Sequence, residues 1–159
     1  MNCLWLGVVD DDEGVVLAWA YESDGLGLLH VETEAVRRLG RWSEHDSKIV
    51  PIPQHNVLVA VRPSSASSLA FCLIGAKSQV LDLHDFLRHS LVPFVASAIT
   101  QSAVMDKQHI IANQAKLHAL VNEVILQGRI DKLRVDSLQR HYQLALSAAG
   151  SSSSGGSLG

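Results

Sequence analysis

The last third of the chain, from Asp106 to Tyr142, most constrains what this protein can fold into. Its first part predicts a long amphipathic helix, because aliphatic residues recur there at helical spacing and form one wide apolar stripe. The stripe consists of Ile110, Ile111, Leu117, Leu120, Val121, Val124 and Ile125. Gly128 marks the expected end of this helix, since glycine adopts a left-handed conformation without a Cβ penalty, and a second helical segment follows. A helix with so broad an apolar face must pack against another layer of the protein.

Composition indicates one compact domain with no basic face for nucleic acid. Of the 159 residues, 47% are hydrophobic and 18% are charged, and the net charge of −3 is scattered along the chain. Cys3 and Cys72 lie in apolar runs, which is typical of buried thiols in an intracellular protein. The N-terminus lacks the basic start of a signal peptide, and no uncharged apolar run approaches the roughly 20 residues that span a bilayer. We therefore expect a soluble protein whose membrane contact is peripheral.

Short apolar runs in the first half predict strands at 2–9, 15–22, 57–62 and 69–75, with at most a short edge strand at 48–50. The turn residues Asp12 to Gly14 and Pro63 to Ser67 join these runs into two hairpins. The order of elements predicts an α+β fold, with an antiparallel sheet of about five strands and helices on both faces. This domain is expected to span residues 1–146, and the Ser/Gly-rich residues 147–159 are expected to be a flexible tail.

Two further helices are predicted between and after the strands. Residues 31–39 have a Glu-rich start, an Arg-rich end and a following glycine, as a short helix requires. A helix capped by Ser78 should follow the sheet, and Pro93 should kink or split it because proline removes a backbone donor. The inward positions of that helix are expected to be Leu83, Phe86, Leu87, Leu91, Phe94 and Ala98.

No catalytic or metal-binding constellation is predicted. The pairs His84/His89 and His109/His118 lack the spacing of a metal-binding helix, and hydrogen-bonded or solvated histidines are expected instead. The consecutive carboxylates 10–13 lack the alternation of a calcium loop and indicate a solvated hairpin turn. Cys72 lies in an apolar strand, which raises the pKa of a thiol and makes it inert. We expect no cofactor and no enzymatic activity.

The segment Lys116 to Leu138 resembles the C-terminal part of the small sigma subunits of clathrin adaptor complexes and of the zeta subunit of the COPI coat. The matching residues are Lys116, His118, Leu120, Glu123, Val124, Gly128 and Ile130. Leu83 to Phe94 likewise resembles the preceding helix of those longin-type domains. The chain departs from them in lacking a basic residue before Trp19 and in having only Arg37, Arg38 and Arg41 after that strand. These departures border the surface that recognises acidic dileucine signals, so cargo recognition is not expected to carry over.

The resemblance implies a divergent, longin-like small subunit of a coat or adaptor complex, cytoplasmic and peripheral to endomembranes as part of that complex. Its partner would be a large helical-solenoid subunit. A longin- or roadblock-type scaffold that pairs with a like domain and regulates a small GTPase is the alternative. A small hydrolase or transferase is the third possibility.

Coat small chains are held by large partners along the first hairpin and the helices next to it. The resemblance therefore places the partner interface on the outer faces of strands 2–9 and 15–22 and in the region Arg37 to Trp42. Tryptophan and arginine are the residue types most enriched in interface hot spots. The predicted interface residues are Trp5, Trp19, Arg37, Arg38, Arg41 and Trp42. The predicted core residues are Leu83, Phe86, Leu87, Leu117, Leu120, Val121 and Val124.

Overall fold

A computed structural model describes residues 1–21, 39, 47–64, 66–101, 105–140, 142–143 and 147 of the chain. Its centre is an antiparallel five-stranded sheet in the order β2-β1-β5-β4-β3, so β2 and β3 are its edges. The strands are β1 (Trp5–Asp10), β2 (Gly14–Ala20), β3 (Ser47–Ile52), β4 (Asn56–Val61) and β5 (Leu69–Ala76). The predicted α+β class and both predicted hairpins are confirmed. The edge strand β3 is longer than the predicted residues 48–50.

Both faces of the sheet are buried in its central strands. Along β4, Val57 and Val59 belong to the apolar cluster under the C-terminal helices, whereas Leu58 and Ala60 belong to a cluster on the opposite face. This period of two is the strand alternation, and burial on both faces explains why β4 and β5 are nearly continuous apolar runs. Leu39, a buried helical residue, packs in the second cluster. The rest of the predicted helix 31–39 lies outside the described residues, as does the predicted tail apart from Ser147.

The helix after the sheet, α1 (residues 77–99), runs through Pro93 without being split. It opens with a 3₁₀ turn at Lys77–Gln79, and it contains α-helical stretches at Val80–Asp85 and Val92–Phe94 and π-helical stretches at Phe86–Leu91 and Val95–Ile99. A π turn holds more residues than an α turn, so the buried face shifts. Beyond Leu91 the buried residues are Val92, Val95 and Ile99 instead of the predicted Phe94 and Ala98. The predicted cap at Ser78 is wrong, because no side chain caps this start.

The long helix predicted after Asp106 is in fact two helices, α2 (Lys107–Ala112) and α3 (Gln114–Val124). Asp106 caps α2 by accepting a hydrogen bond from the backbone N–H of His109, whose ring in turn accepts from the N–H of Asp106. Asn113 ends α2 by donating its side-chain amide to the carbonyl of His109 at 2.9 Å. A polar side chain that bonds its own backbone in this way competes with helix continuation, which explains the break.

Helix α3 ends at Val124, before the predicted end at Gly128. Residues Ile125–Leu126 (β6) and Arg129–Ile130 (β7) form a small hairpin, and helix α4 (Lys132–Asp136) follows. Gln127 and Gly128 both have positive φ, as a two-residue hairpin turn requires. The expected left-handed glycine is therefore present, but in a strand turn.

The helices and this hairpin cover one face of the sheet. All seven predicted core residues are buried there, which confirms that prediction. Within the ranges that the structure describes, no helix combines the length and apolarity needed to cross a bilayer.

Candidate interaction surface

Trp5 is a core residue, and its prediction as an interface residue is corrected. It is only 1% exposed and packs in the cluster on the face opposite the C-terminal helices. Its indole ring lies across Gly7, where an added Cβ would come within 2.2 Å of the ring. The missing side chain at Gly7 makes the space in which the ring is buried. The whole of β1 is buried in the same way, so the first hairpin offers a partner β2 and not β1.

Trp19 is half-buried and links the edge strand β2 to helix α3. Its Nε1–H donates to Nδ1 of His118 at 2.9 Å, and the two rings meet edge to face with centroids 5.1 Å apart. The predicted hydrogen-bonded role of His118 is therefore confirmed. Because the indole N–H is already used inside the protein, Trp19 positions β2 and has only its remaining exposed edge for a partner. Arg37, Arg38, Arg41 and Trp42 lie outside the described residues, so their place in an interface stays a prediction.

The two edges of the sheet differ in chemistry. Strand β3 carries Lys48 and Pro51, which are the residue types that natural edge strands use to prevent pairing with another chain. Strand β2 has the sequence GVVLAWA and contains neither charge nor proline. Among the described residues, β2 pairs only with β1. An uncharged edge strand is a template for a further strand, so β2 is called the open edge of the sheet that the described residues form.

Apolar side chains surround the open edge. Val15 is 39% exposed, and Ala18 and Ala20 are exposed on the same sheet face as Trp5. Helix α2 packs beside β2 on the other face of the sheet, and its Ile111 is 46% exposed. These four residues and the edge of β2 are called the β2 surface below. Such a grouping of exposed apolar side chains with a free strand edge is typical of a contact site for another chain.

A polar network holds the β1–β2 turn at one end of this surface. The guanidinium of Arg62 is buried, and its Nη2 donates to both carboxylate oxygens of Asp11 at 2.9 and 3.0 Å. Its Nη1 donates to the carbonyl of Ser67 at 2.7 Å. Glu13 pairs with Lys107 at the start of α2. The turn was predicted to be solvated, which the structure confirms for the exposed Asp11, Asp12 and Glu13 and corrects for the buried Asp10. The carboxylates of Asp10 and Asp11 connect the turn to the β4–β5 connection.

Asp10 is the acidic residue most engaged by this network. Burial alone would raise the pKa of its carboxyl group. Hydrogen bonds from the N–H groups of Asp12 and Glu13 and from the hydroxyl of Ser68, together with the nearby charge of Lys107, outweigh this and hold the pKa of Asp10 below its ordinary value. The ionised form of Asp10 therefore stabilises the turn.

Both cysteines of the chain are buried. Burial raises the pKa of the Cys3 and Cys72 thiols to about 12, which confirms the predicted rise in the pKa of Cys72. Within the described ranges, no three His, Cys, Asp or Glu side chains are grouped so that they could hold a metal ion. A groove of about 270 Å³ between the end of β4 and α1 brings Arg88 and His89 near Arg62. The charge of Arg62 is already paired with Asp11 there.

Sequence reasoning predicted the first hairpin as the contact region but did not distinguish its buried strand β1 from its partly exposed strand β2. Val15, Ala18 and Ala20 were not singled out, and Ile111 was wrongly predicted to pack within the apolar stripe, since it is 46% exposed. The signal for the open edge was present in the contrast between uncharged β2 and the Lys- and Pro-bearing β3. Using it required knowing that these two strands are the edges, which depends on the order of strands in space.

Comparison of the sequence with known proteins does not assign the chain to a family. No family model matches it, and no curated protein matches it in sequence. Among solved structures, the chain is similar to the crystal structure of a Roadblock/LC7 domain from Streptomyces avermitilis. The two share 15% sequence identity with a TM-score of 0.36, over 61% of this chain and 85% of that one. The α+β fold stated above follows from the chain's own sheet and helices.

Proposed function

We propose that this protein is a non-enzymatic small subunit of a membrane-trafficking coat or adaptor complex, in which it binds and stabilises a larger subunit. The observation that carries the proposal is the open edge of β2, bordered by the exposed side chains of Val15 and Ile111. Leaving an apolar edge strand unprotected is a liability for a protein that acts alone, whereas a permanent partner would cover it. The C-terminal pattern around Glu123 and Gly128 suggests the coat or adaptor class.

The larger subunit of the proposed complex is a helical-solenoid chain. The complex would lie in the cytoplasm and touch endomembranes only through its other subunits. With a net charge of −3 the chain is not suited to nucleic acid, and no nucleic-acid partner is proposed.

A second candidate is a scaffold that pairs with a like domain and binds or regulates a small GTPase. The same open edge favours it, because two antiparallel sheets can join through their edge strands. The two candidates differ in the size of the partner and in the presence of a GTPase.

The test is to isolate the tagged chain, expressed at its native level, from cells of the source organism. Mass spectrometry would identify the proteins retained in equal amounts, and sedimentation would give the mass of the complex. A single much larger subunit in a one-to-one complex is the expected result. A homologous small domain together with a GTPase would favour the scaffold, and a stable monomer that retains no partner in stoichiometric amount would contradict both candidates.

A further inference from the structure

We infer that the partner contacts β2 with an extended strand that continues the sheet, and not with the side of a helix. This inference rests on the proposed function and specifies the contact by which the larger subunit is held. It comes from the direction of the backbone groups along β2, which the register of the first hairpin determines.

The backbone groups of Ala18 and Ala20 point away from the sheet. The N–H of Tyr21 donates to the carbonyl of Leu4 at 2.9 Å, and in the same register Leu6 lies opposite Trp19. Residues of an antiparallel strand direct their N–H and C=O groups alternately to one side and the other. The groups of Trp19 and Tyr21 therefore bond to β1, and those of Ala18 and Ala20 face outward.

The spacing of these outward groups fits a strand. Ala18 and Ala20 are two residues apart, which in a strand is about 7 Å, the repeat at which a neighbouring strand presents its own N–H and C=O groups. A helix bonds its backbone groups within itself, so its side offers no backbone partner to either alanine. A partner that covered this edge with a helix would leave these groups without hydrogen bonds and away from water, which destabilises such a complex relative to one that adds a strand.

The side chains describe the partner strand further. Strand β2 carries no charge, and its exposed side chains are aliphatic or small, so the incoming segment should be uncharged and apolar on the face of Val15 and Ala18. A bulge at Val16, where the register of β1 and β2 shifts, interrupts the ladder. The regular edge is the four residues from Leu17 to Ala20, so the partner strand should be short.

Amide hydrogen exchange of the isolated complex tests the inference at single residues. Compared with the free chain, the N–H groups of Ala18 and Ala20 should exchange at least about 10-fold more slowly in the complex. Those of Leu17 and Trp19, which already bond to β1, should change much less. Equal slowing at all four residues, or none at Ala18 and Ala20, would overturn strand addition.

Proline substitution provides an independent readout. Ala18→Pro and Ala20→Pro each remove an outward N–H without breaking a bond to β1, a position at which edge strands tolerate proline. Each should weaken binding of the isolated larger subunit about 10-fold or more, whereas the matched control Ala18→Thr, which keeps the N–H, should bind like the wild type. Thermal unfolding of the free variants shows whether they are folded, and the exchange pattern of the wild type decides the question if they are not.

The outcomes separate the inference from the proposed function. If wild-type protein forms the complex and folded proline variants bind equally well, strand addition is wrong and the coat or adaptor role stands. If the wild type retains no larger subunit, the proposed function itself fails. Protection of Ala18 and Ala20 in the purified chain alone, rising with its concentration, would show that a second copy pairs with β2 and would overturn the partner strand.

Discussion

At the scale of single residues, burial in this protein depends on what lies above each side chain as much as on residue type. Trp5 is covered because Gly7 leaves space for its ring, while the aliphatic Ile111 stays 46% exposed on a helix whose neighbour Ile110 is buried. The energetic consequences of substitution should follow these positions.

Leu120→Ala should lower the free energy of unfolding by about 2–5 kcal/mol, since it leaves a cavity in the fully buried cluster under α3. Ile111→Ala is the matched control on the neighbouring helix, and it should change the same quantity by less than about 1 kcal/mol because its side chain is already about half exposed to water. Urea unfolding measures both. Similar losses for the two variants would contradict the assignment of the core.

Asp10 should make the protein acid-sensitive. Its pKa is lower in the folded chain than its ordinary value, so the ionised carboxylate stabilises the fold above about pH 4, and this contribution is lost as the pH falls through the folded pKa. In Asp10→Asn the free energy of unfolding should fall less steeply in acid, and the difference from wild type should shrink as the pH falls. Ser68→Ala, which removes one of the hydrogen bonds to Asp10, should weaken the pH dependence in part. Parallel curves for wild type and Asp10→Asn would refute this role.

Trp42 is predicted, from residue type and the family resemblance, to be an interface hot spot. Trp42→Ala should weaken binding of the larger subunit by more than about 1 kcal/mol and leave the melting temperature of the free domain almost unchanged. Titration of the isolated partner and thermal unfolding together test this. Unfolding of the variant would place Trp42 in the core, and unchanged binding would place the contact elsewhere.

At the scale of elements, two glycine turns show how the same backbone conformation can differ in importance. Gly14 in the β1–β2 turn and Gly128 in the β6–β7 turn both have φ of +81°. A Cβ at Gly14 would meet open space, whereas a Cβ at Gly128 would lie 3.0 Å from the carbonyl oxygen of Cys3 and 3.1 Å from Cβ of Tyr21. The small hairpin is therefore held tightly against the start of the chain.

Alanine substitution at these two turns should separate conformational strain from steric crowding. Gly14→Ala should reduce the free energy of unfolding by about 1 kcal/mol, the cost of a left-handed residue with a Cβ. Gly128→Ala should cost more, because the neighbouring backbone and Tyr21 must also move. Denaturant unfolding of the pair measures the difference. Equal losses would show that the contact at Gly128 is easily relieved.

Helix α1 shows where periodicity fails as a guide within an element. Leu83, Phe86 and Leu87 were correctly placed on its buried face by counting at 3.6 residues per turn. After the π-helical stretch Phe86–Leu91 the same count no longer identifies the buried positions. Val92, Val95 and Ile99 are buried there, and not the predicted Phe94 and Ala98. A π turn is decided by packing of the helix on the sheet, which no local pattern in the sequence reports.

At the scale of the whole molecule, the sheet order explains why one edge is open and the other is not. Strands β2 and β3 lie at opposite edges of the sheet, whose order is β2-β1-β5-β4-β3. Of these two edge strands, only β3 contains a charged residue and a proline, Lys48 and Pro51. The proposed complex would extend the sheet at β2, next to the turn that Arg62 and Asp11 hold in place. The open edge and the ordered turn beside it would then form one contact surface.

The sequence by itself determined the two hairpins of the sheet and most of the helix-facing core, because hydrophobic periodicity and turn residues act over a few neighbouring positions. The hairpins and all seven predicted core residues follow from such local patterns. Only the tertiary structure decided that Trp5 is buried, that Arg62 pairs with Asp11 across 51 positions, and that β2 is an edge of the sheet. Each of these depends on which distant segments come together in the folded chain, and that is a property of long-range packing.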